Sequence, residues 1–170
     1  LTDFHIELMK IAKEVYHADI ITFHDDMGTQ RSSFFSPTTF EEVMLPHYKR
    51  MNDAAHEMGL YVNFHSCGCV GNQIENFIAA GFDSWEGQDA CNDKVGILGK
   101  YGDELAQVSS FSPDPDGKLS DEEYVQAVKD RVHDYGKEGR YIAWYRENNP
   151  ERREKGYETM YTESRKFYCD

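Results

Sequence analysis

The chain has 170 residues, enough for one domain with a sizeable core. Acidic residues outnumber basic ones 31 to 18, and the net charge of −13 argues against a nucleic-acid surface or an anionic lipid surface as partner. No run of ~18 apolar residues is present, and Leu1-Thr2-Asp3-Phe4-His5 has no charged segment ahead of an apolar one, so neither a membrane span nor a secretory leader is expected.

The cysteines, Cys67, Cys69, Cys91 and Cys169, are too few and too irregularly spaced for a disulfide framework, which predicts a reducing, cytoplasmic setting. The missing initiator Met predicts a fragment or a trimmed chain.

Residues 4–16 carry Phe4, Leu8, Ile11, Ala12 and Val15 at helical spacing. A short β-rich run over 18–23 ends in His24-Asp25-Asp26-Met27-Gly28. Ser36-Pro37 then opens a helix with Glu41 and Glu42 early in it, running to about 58, with Gly59 as its C-cap. A second strand is expected at 60–64 and a short helix at 73–80. The third strand, 82–85, ends in Glu86-Gly87-Gln88. Asn92-Asp93 starts a helix to about 100, and a fourth strand follows at 105–109.

The turn-rich loop Ser112-Pro113-Asp114-Pro115-Asp116-Gly117 is expected to be the flexible piece. Ser120 followed by Glu123 is a capping box for a helix to about 135, ended by Gly136 and Gly139. A fifth strand is expected at 140–144, and Pro150 opens the last helix. Short apolar strands alternating with helices predict an α/β fold with a parallel sheet and right-handed crossovers, in one domain spanning 1–170. Either an open doubly wound sheet or part of a (β/α)8 barrel fits. The absence of a Gly-rich phosphate turn lowers the first, and 170 residues make about five-eighths of the second.

In both architectures the C-terminal strand ends line the active site. Here those tips read His24-Asp25-Asp26, His65-Ser66-Cys67, Glu86-Gly87-Gln88, Ser109-Ser110 and Tyr145-Arg146-Glu147-Asn148. Any one of these residues also reads as an ordinary solvated loop residue; five chemical tips in succession weaken that reading. His65 and Cys67, two apart, can point the same way, and imidazole plus thiolate is half of a zinc site. Glu86, one strand over and ~4.8 Å away, completes an N/S/O set with an open position.

Cys69 and Cys91 read as spectators and Cys169 as frayed and uninvolved. Asp25 and Asp26 are adjacent, so they face opposite ways; one enters the mouth and the other caps the loop. Arg146 binds an anionic group or pairs with a neighbouring acid. Trp85 and Trp144 read as core.

Asp25-Asp26-Met27-Gly28-Thr29-Gln30, Phe35-Ser36-Pro37, the stretch from Glu41 to Arg50, His65-Ser66-Cys67-Gly68, Gly81-Phe82-Asp83 and Ser164-Arg165-Lys166-Phe167-Tyr168 together resemble the uroporphyrinogen decarboxylase superfamily, which includes corrinoid-dependent methyltransferases. The resemblance implies the C-terminal five units of a (β/α)8 barrel, without the N-terminal units. The decarboxylase branch has a Gly-His-Gly turn after the last strand, where this chain has Tyr145-Arg146-Glu147-Asn148. The methyltransferase branch binds zinc with H-x-C, an acidic residue about twenty positions on, and a late cysteine. His65, Cys67 and Glu86 match the first three; Arg146 and Glu147 stand where the late cysteine would be.

The resemblance therefore implies zinc-dependent methyl transfer between a small methylated substrate or thiol and a partner corrinoid protein carrying methylcobalamin. In that reading Asp25 binds substrate or a group that supports the metal ligands, and Arg146 an anionic group. Two rival expectations are a metal-free decarboxylase of a tetrapyrrole or related acid, and a non-catalytic half-barrel that docks a partner chain. Open edges on a five-unit barrel predict self-association or pairing with the missing half.

Overall fold

The computed structural model describes residues 1–87, 90–136 and 140–168. Gln88, Gly139 and Cys169 lie outside them. The elements run α1 (Thr2–Glu14), β1 (Ile20–His24), α2 (Pro37–Thr39), a π-helix (Phe40–Met44), α3 (Leu45–Glu57), β2 (Tyr61–His65), a 3-10 turn (Gly71–Gln73), α4 (Ile74–Ala79), β3 (Ser84–Glu86), α5 (Lys94–Tyr101), β4 (Ala106–Phe111), α6 (Asp121–Gly136), β5 (Tyr141–Tyr145) and α7 (Pro150–Tyr168).

All neighbouring strands pair in parallel, in the order β1-β2-β3-β4-β5. That order decides between the two expected architectures. A doubly wound sheet reverses its strand order at a switch point, whereas consecutive strands in sequence make a barrel wall. The fold is α/β, and its architecture is that of a partial (β/α)8 barrel. No helix among the described residues is long and apolar enough to cross a membrane.

The helix ends follow the sequence chemistry. Ser36 Oγ accepts from the Thr39 N–H at 3.1 Å, and Asp93 caps α5 through the Gly96 N–H at 3.0 Å. Ser120 and Glu123 bond reciprocally, at 2.8 and 3.2 Å, as the capping box requires. The helix expected to open at Ser36-Pro37 and run to about 58 is interrupted by the π-helix. Pro46 has no N–H for the carbonyl of Glu42, so the ladder slips to a wider turn ahead of it.

The loop expected to be flexible is tied down. Asp114 accepts from the Lys118 and Leu119 N–H groups at 2.8 and 3.0 Å. Arg152 on α7 reaches both Asp114, at 2.9 Å, and the Leu119 carbonyl, at 2.8 Å.

The two faces of the sheet differ. Val62, Phe64 and Trp85 point to the helices and pack with Phe40, Phe77 and Phe82 in the main core. Phe64 and Phe82 stack with centroids 4.3 Å apart. A smaller core of Phe111, Tyr124, Val128 and Tyr145 lies under α6. The other face, the interior of a closed barrel, carries Thr22, Asn63 and Ser84 in one register row and His24, His65 and Glu86 in the next. By the same register Ile20, Tyr61, Ile142 and Trp144 share this face, and all four are exposed. Trp85 is core as expected. Trp144 is not: it is 48% exposed, because no opposing strand among the described residues covers its row.

Candidate metal centre

The register row His24–His65–Glu86 places three ionisable groups at the C-terminal ends of neighbouring strands. The His65 ring is buried and stacks on His24, centroids 4.4 Å apart at 20°. Its two nitrogens meet different partners. Nε2 lies 3.4 Å from Cys67 Sγ and 3.6 Å from Asp26 Oδ1. Nδ1 is buried without an aligned hydrogen bond among the described residues, and Glu86 Oε1 stands 3.3 Å from it.

The three donor atoms that converge, all within 4.8 Å of one another, therefore belong to Asp26, His65 and Cys67. Glu86, expected as the third ligand, lies instead behind the imidazole. A strand tip one position over in the sheet brings its carboxylate level with the Nδ1 side of the ring, and Asn63 Nδ2 donates to its Oε2 at 3.4 Å. Ser84 Oγ fixes that Asn63 at 2.6 Å.

The loops explain how Asp26 reaches the site. The Asp25 N–H bonds the His65 carbonyl at 3.0 Å, continuing the β1–β2 ladder one step past the strands. Adjacent side chains then diverge. Asp26 Oδ1 accepts from the Cys67 N–H at 2.9 Å, and Ser66 Oγ accepts from the Met27 N–H at 3.0 Å. Asp25 turns the other way and accepts from the Tyr48 hydroxyl. Burial and the Asp25 carboxylate push the Tyr48 phenol well above its ordinary range. Asp25 opens on a cavity of about 380 Å³ between α1 and α3, lined also by His5, Phe23, His24 and His47.

The donor set can hold a metal. Imidazole nitrogen, thiolate and carboxylate at zinc bond lengths and tetrahedral angles stand about 3.4–3.6 Å apart, and the observed separations from Nε2 are 3.4 and 3.6 Å. A carboxylate behind the ligating imidazole is the usual arrangement for fixing its tautomer.

The remaining candidates lie elsewhere. Arg146 is exposed beyond β5, three strands from β2, with its guanidinium 5.2 Å from the Trp144 ring. Glu147 accepts from the Asn149 N–H at 2.8 Å ahead of α7. Cys69 and Cys91, read as spectators, form a disulfide with Cα atoms 5.5 Å apart. This corrects the expectation that the cysteines stay unpaired. Gly68, at φ +92°, turns the chain so that Cys69 leaves the β2 axis for the loop beyond β3, and no spacing rule could show that.

No protein-family model matches the chain, and no curated protein matches it by sequence. Among solved structures it is similar to a methyltransferase from Methanosarcina mazei, with a TM-score of 0.62 and 16% sequence identity. The match covers 99% of this chain and 48% of that one, so this chain spans about half the length of that structure. At this identity the likeness carries the fold.

Proposed function

We propose that this half-barrel belongs to a zinc-dependent methyltransferase that moves a methyl group between a small methylated substrate or thiol and a corrinoid protein. The observation that carries the reading is the convergence of Asp26, His65 and Cys67 at the C-terminal rim, with Glu86 behind the His65 ring. The methyltransferase fold of the Methanosarcina mazei structure supports it. His65 Nε2, Cys67 and Asp26 would hold the metal. A zinc ion bound there supplies Lewis acidity, enough to keep a substrate thiol as thiolate at neutral pH.

The Glu86 carboxylate, 3.3 Å from His65 Nδ1, favours the proton on that nitrogen, so Nε2 keeps its lone pair for the metal. The exposed His24 ring stacks on the His65 ring and covers one of its faces. Asp25 and the cavity it shares with Tyr48 bind the part of the substrate remote from the methyl group. Arg146, on the same rim, meets an anionic group of the substrate or of the corrinoid partner. The exposed Ile20, Tyr61, Ile142 and Trp144 are covered by the remaining barrel strands or by a second copy.

Elemental analysis of the purified chain tests the core of this. About one zinc per chain is expected, lost in His65→Ala, together with methyl transfer from methylcobalamin to a small thiol once the other barrel half is present. Absence of zinc from both proteins sinks the reading, and carbon dioxide release from a tetrapyrrole acid without metal would replace it by a decarboxylase.

A further inference from the structure

We infer that the Cys69–Cys91 disulfide is a thiol-exchange site that sets the affinity of the candidate metal centre, opened by a dithiol reductant. The inference rests on the proposed ligation by Asp26, His65 and Cys67.

The disulfide joins the loop after β2 to the loop after β3. The first loop carries Cys67, whose N–H also holds Asp26. Further along, the Cys69 N–H bonds the Thr29 carbonyl at 2.7 Å, which anchors the loop after β1. Two of the three converging donors therefore sit on backbone tied to Cys69.

From the other side, Asn92, next to Cys91 and buried, grips the same loop. Its Oδ1 accepts from the N–H groups of Val70 and Gly71 at 3.0 and 2.9 Å, and its Nδ2 donates to the Gly68 carbonyl at 2.8 Å. Asn92 is on an inter-strand segment that the disulfide itself fastens. Disulfide and Asn92 make one clasp. With the bond closed, the Cys67 loop is held in register with Asp26 and His65. With it open, Asn92 and Cys69 can separate and Cys67 loses its fixed position.

The bond is reachable. Cys91 is exposed, and the disulfide borders an open groove of about 470 Å³ lined by Arg31, Ser33, Cys69, Cys91, Asn92 and Asp93. A thiolate of the dithiol attacks one disulfide sulfur and expels the other as thiolate. The second thiol of the reagent then displaces the protein from the mixed disulfide. Two electrons pass to the protein, the two thiol protons of the reagent end on Cys69 and Cys91, and the reagent leaves as its own disulfide.

The test uses cobalt(II) as the metal probe on the full chain, oxidised or treated with dithiothreitol, with peptide mapping after alkylation to count free thiols. Cobalt–thiolate absorption is expected in both redox states, with affinity about tenfold lower after reduction, and Cys91→Ser is expected to match the reduced protein. Amide exchange over residues 66–71 in the metal-free protein is expected to speed up on reduction. Equal cobalt affinity in the two states, with absorption present, overturns the clasp and leaves the metal reading standing. No cobalt binding in either state sinks the metal reading, and the clasp with it as a control on affinity. Free thiols at both Cys69 and Cys91 in air-oxidised protein also overturn it, as does unchanged exchange over 66–71.

Discussion

Glu86 and Asp26 flank the two nitrogens of one imidazole: Glu86 Oε1 is 3.3 Å from His65 Nδ1, and Asp26 Oδ1 is 3.6 Å from Nε2. The two carboxylates thus have separate tasks. Glu86 is almost fully buried and held by Asn63, while the Asp26 side chain is 59% exposed and faces the open rim. A rigid, buried acceptor suits the setting of a tautomer, and an exposed oxygen suits an exchangeable metal.

Glu86→Gln separates these tasks. The amide keeps the volume and the Asn63 contact but loses the charge that draws the Nδ1 proton. Zinc affinity is expected to fall about 10–100-fold, read by competition with a chromophoric chelator. Far-UV circular dichroism should not change.

Asp26→Ala and Asp25→Ala are expected to diverge although the residues are adjacent. Asp26→Ala removes a converging donor and frees the Cys67 N–H, so metal binding is lost. Asp25→Ala leaves all three donors in place, and zinc stoichiometry should hold. Besides substrate binding, its effect falls on stability, because the hydroxyl of the buried Tyr48 loses its acceptor, a cost of about 1–3 kcal/mol. Urea denaturation and zinc analysis of the two variants check both halves.

Much of this arrangement was legible in the sequence, and the rest was hidden for identifiable reasons. The alternation of Leu60-Tyr61-Val62-Asn63-Phe64-His65 put His65 on a strand end, and the capping chemistry of Ser36, Asp93 and Ser120 fixed three helix starts. The opposite facing of Asp25 and Asp26 followed from backbone geometry. Which of the two entered the site did not, because that depends on the Cys67 N–H, contributed from another strand. Glu86 fell in the right register row, but the side of the ring it meets is set by Asn63 and Ser84. The disulfide was invisible because Cys69 is redirected by one glycine torsion.

That torsion makes a third prediction. Gly68 has φ +92°, and a Cβ there would stand 2.2 Å from the Gly28 carbonyl carbon. The obstacle is the Gly28 backbone, so no rotamer change relieves it. Gly68→Ala is expected to cost about 2–3 kcal/mol in urea denaturation. Because the Gly28 and Gly68 loops carry Asp26 and Cys67, it should also weaken cobalt binding in whatever protein still folds.

Tyr141 gives a test far from the site. Its hydroxyl is buried and makes no hydrogen bond among the described residues, and burial pushes its pKa up to about 12. An unfolded tyrosine titrates near about 10. Between these values the unfolded chain has released the proton and the folded chain has kept it. The unfolded state then binds fewer protons, so stability falls as pH rises through this window and is unaffected by Tyr141 below it. Midway, at about pH 11, the loss due to this group is about 1.4 kcal/mol. Tyr141→Phe removes both the titration and the unsatisfied hydroxyl. It is therefore expected to be as stable as the parent, or up to about 1 kcal/mol more so, at about pH 8. At about pH 11 its advantage should widen by the lost amount. The raised phenols of Tyr48 and Tyr124 are common to both proteins and cancel in the difference. Urea midpoints of the two proteins at the two pH values measure it, and an advantage that does not grow with pH would mean that the Tyr141 hydroxyl is solvated in the folded chain.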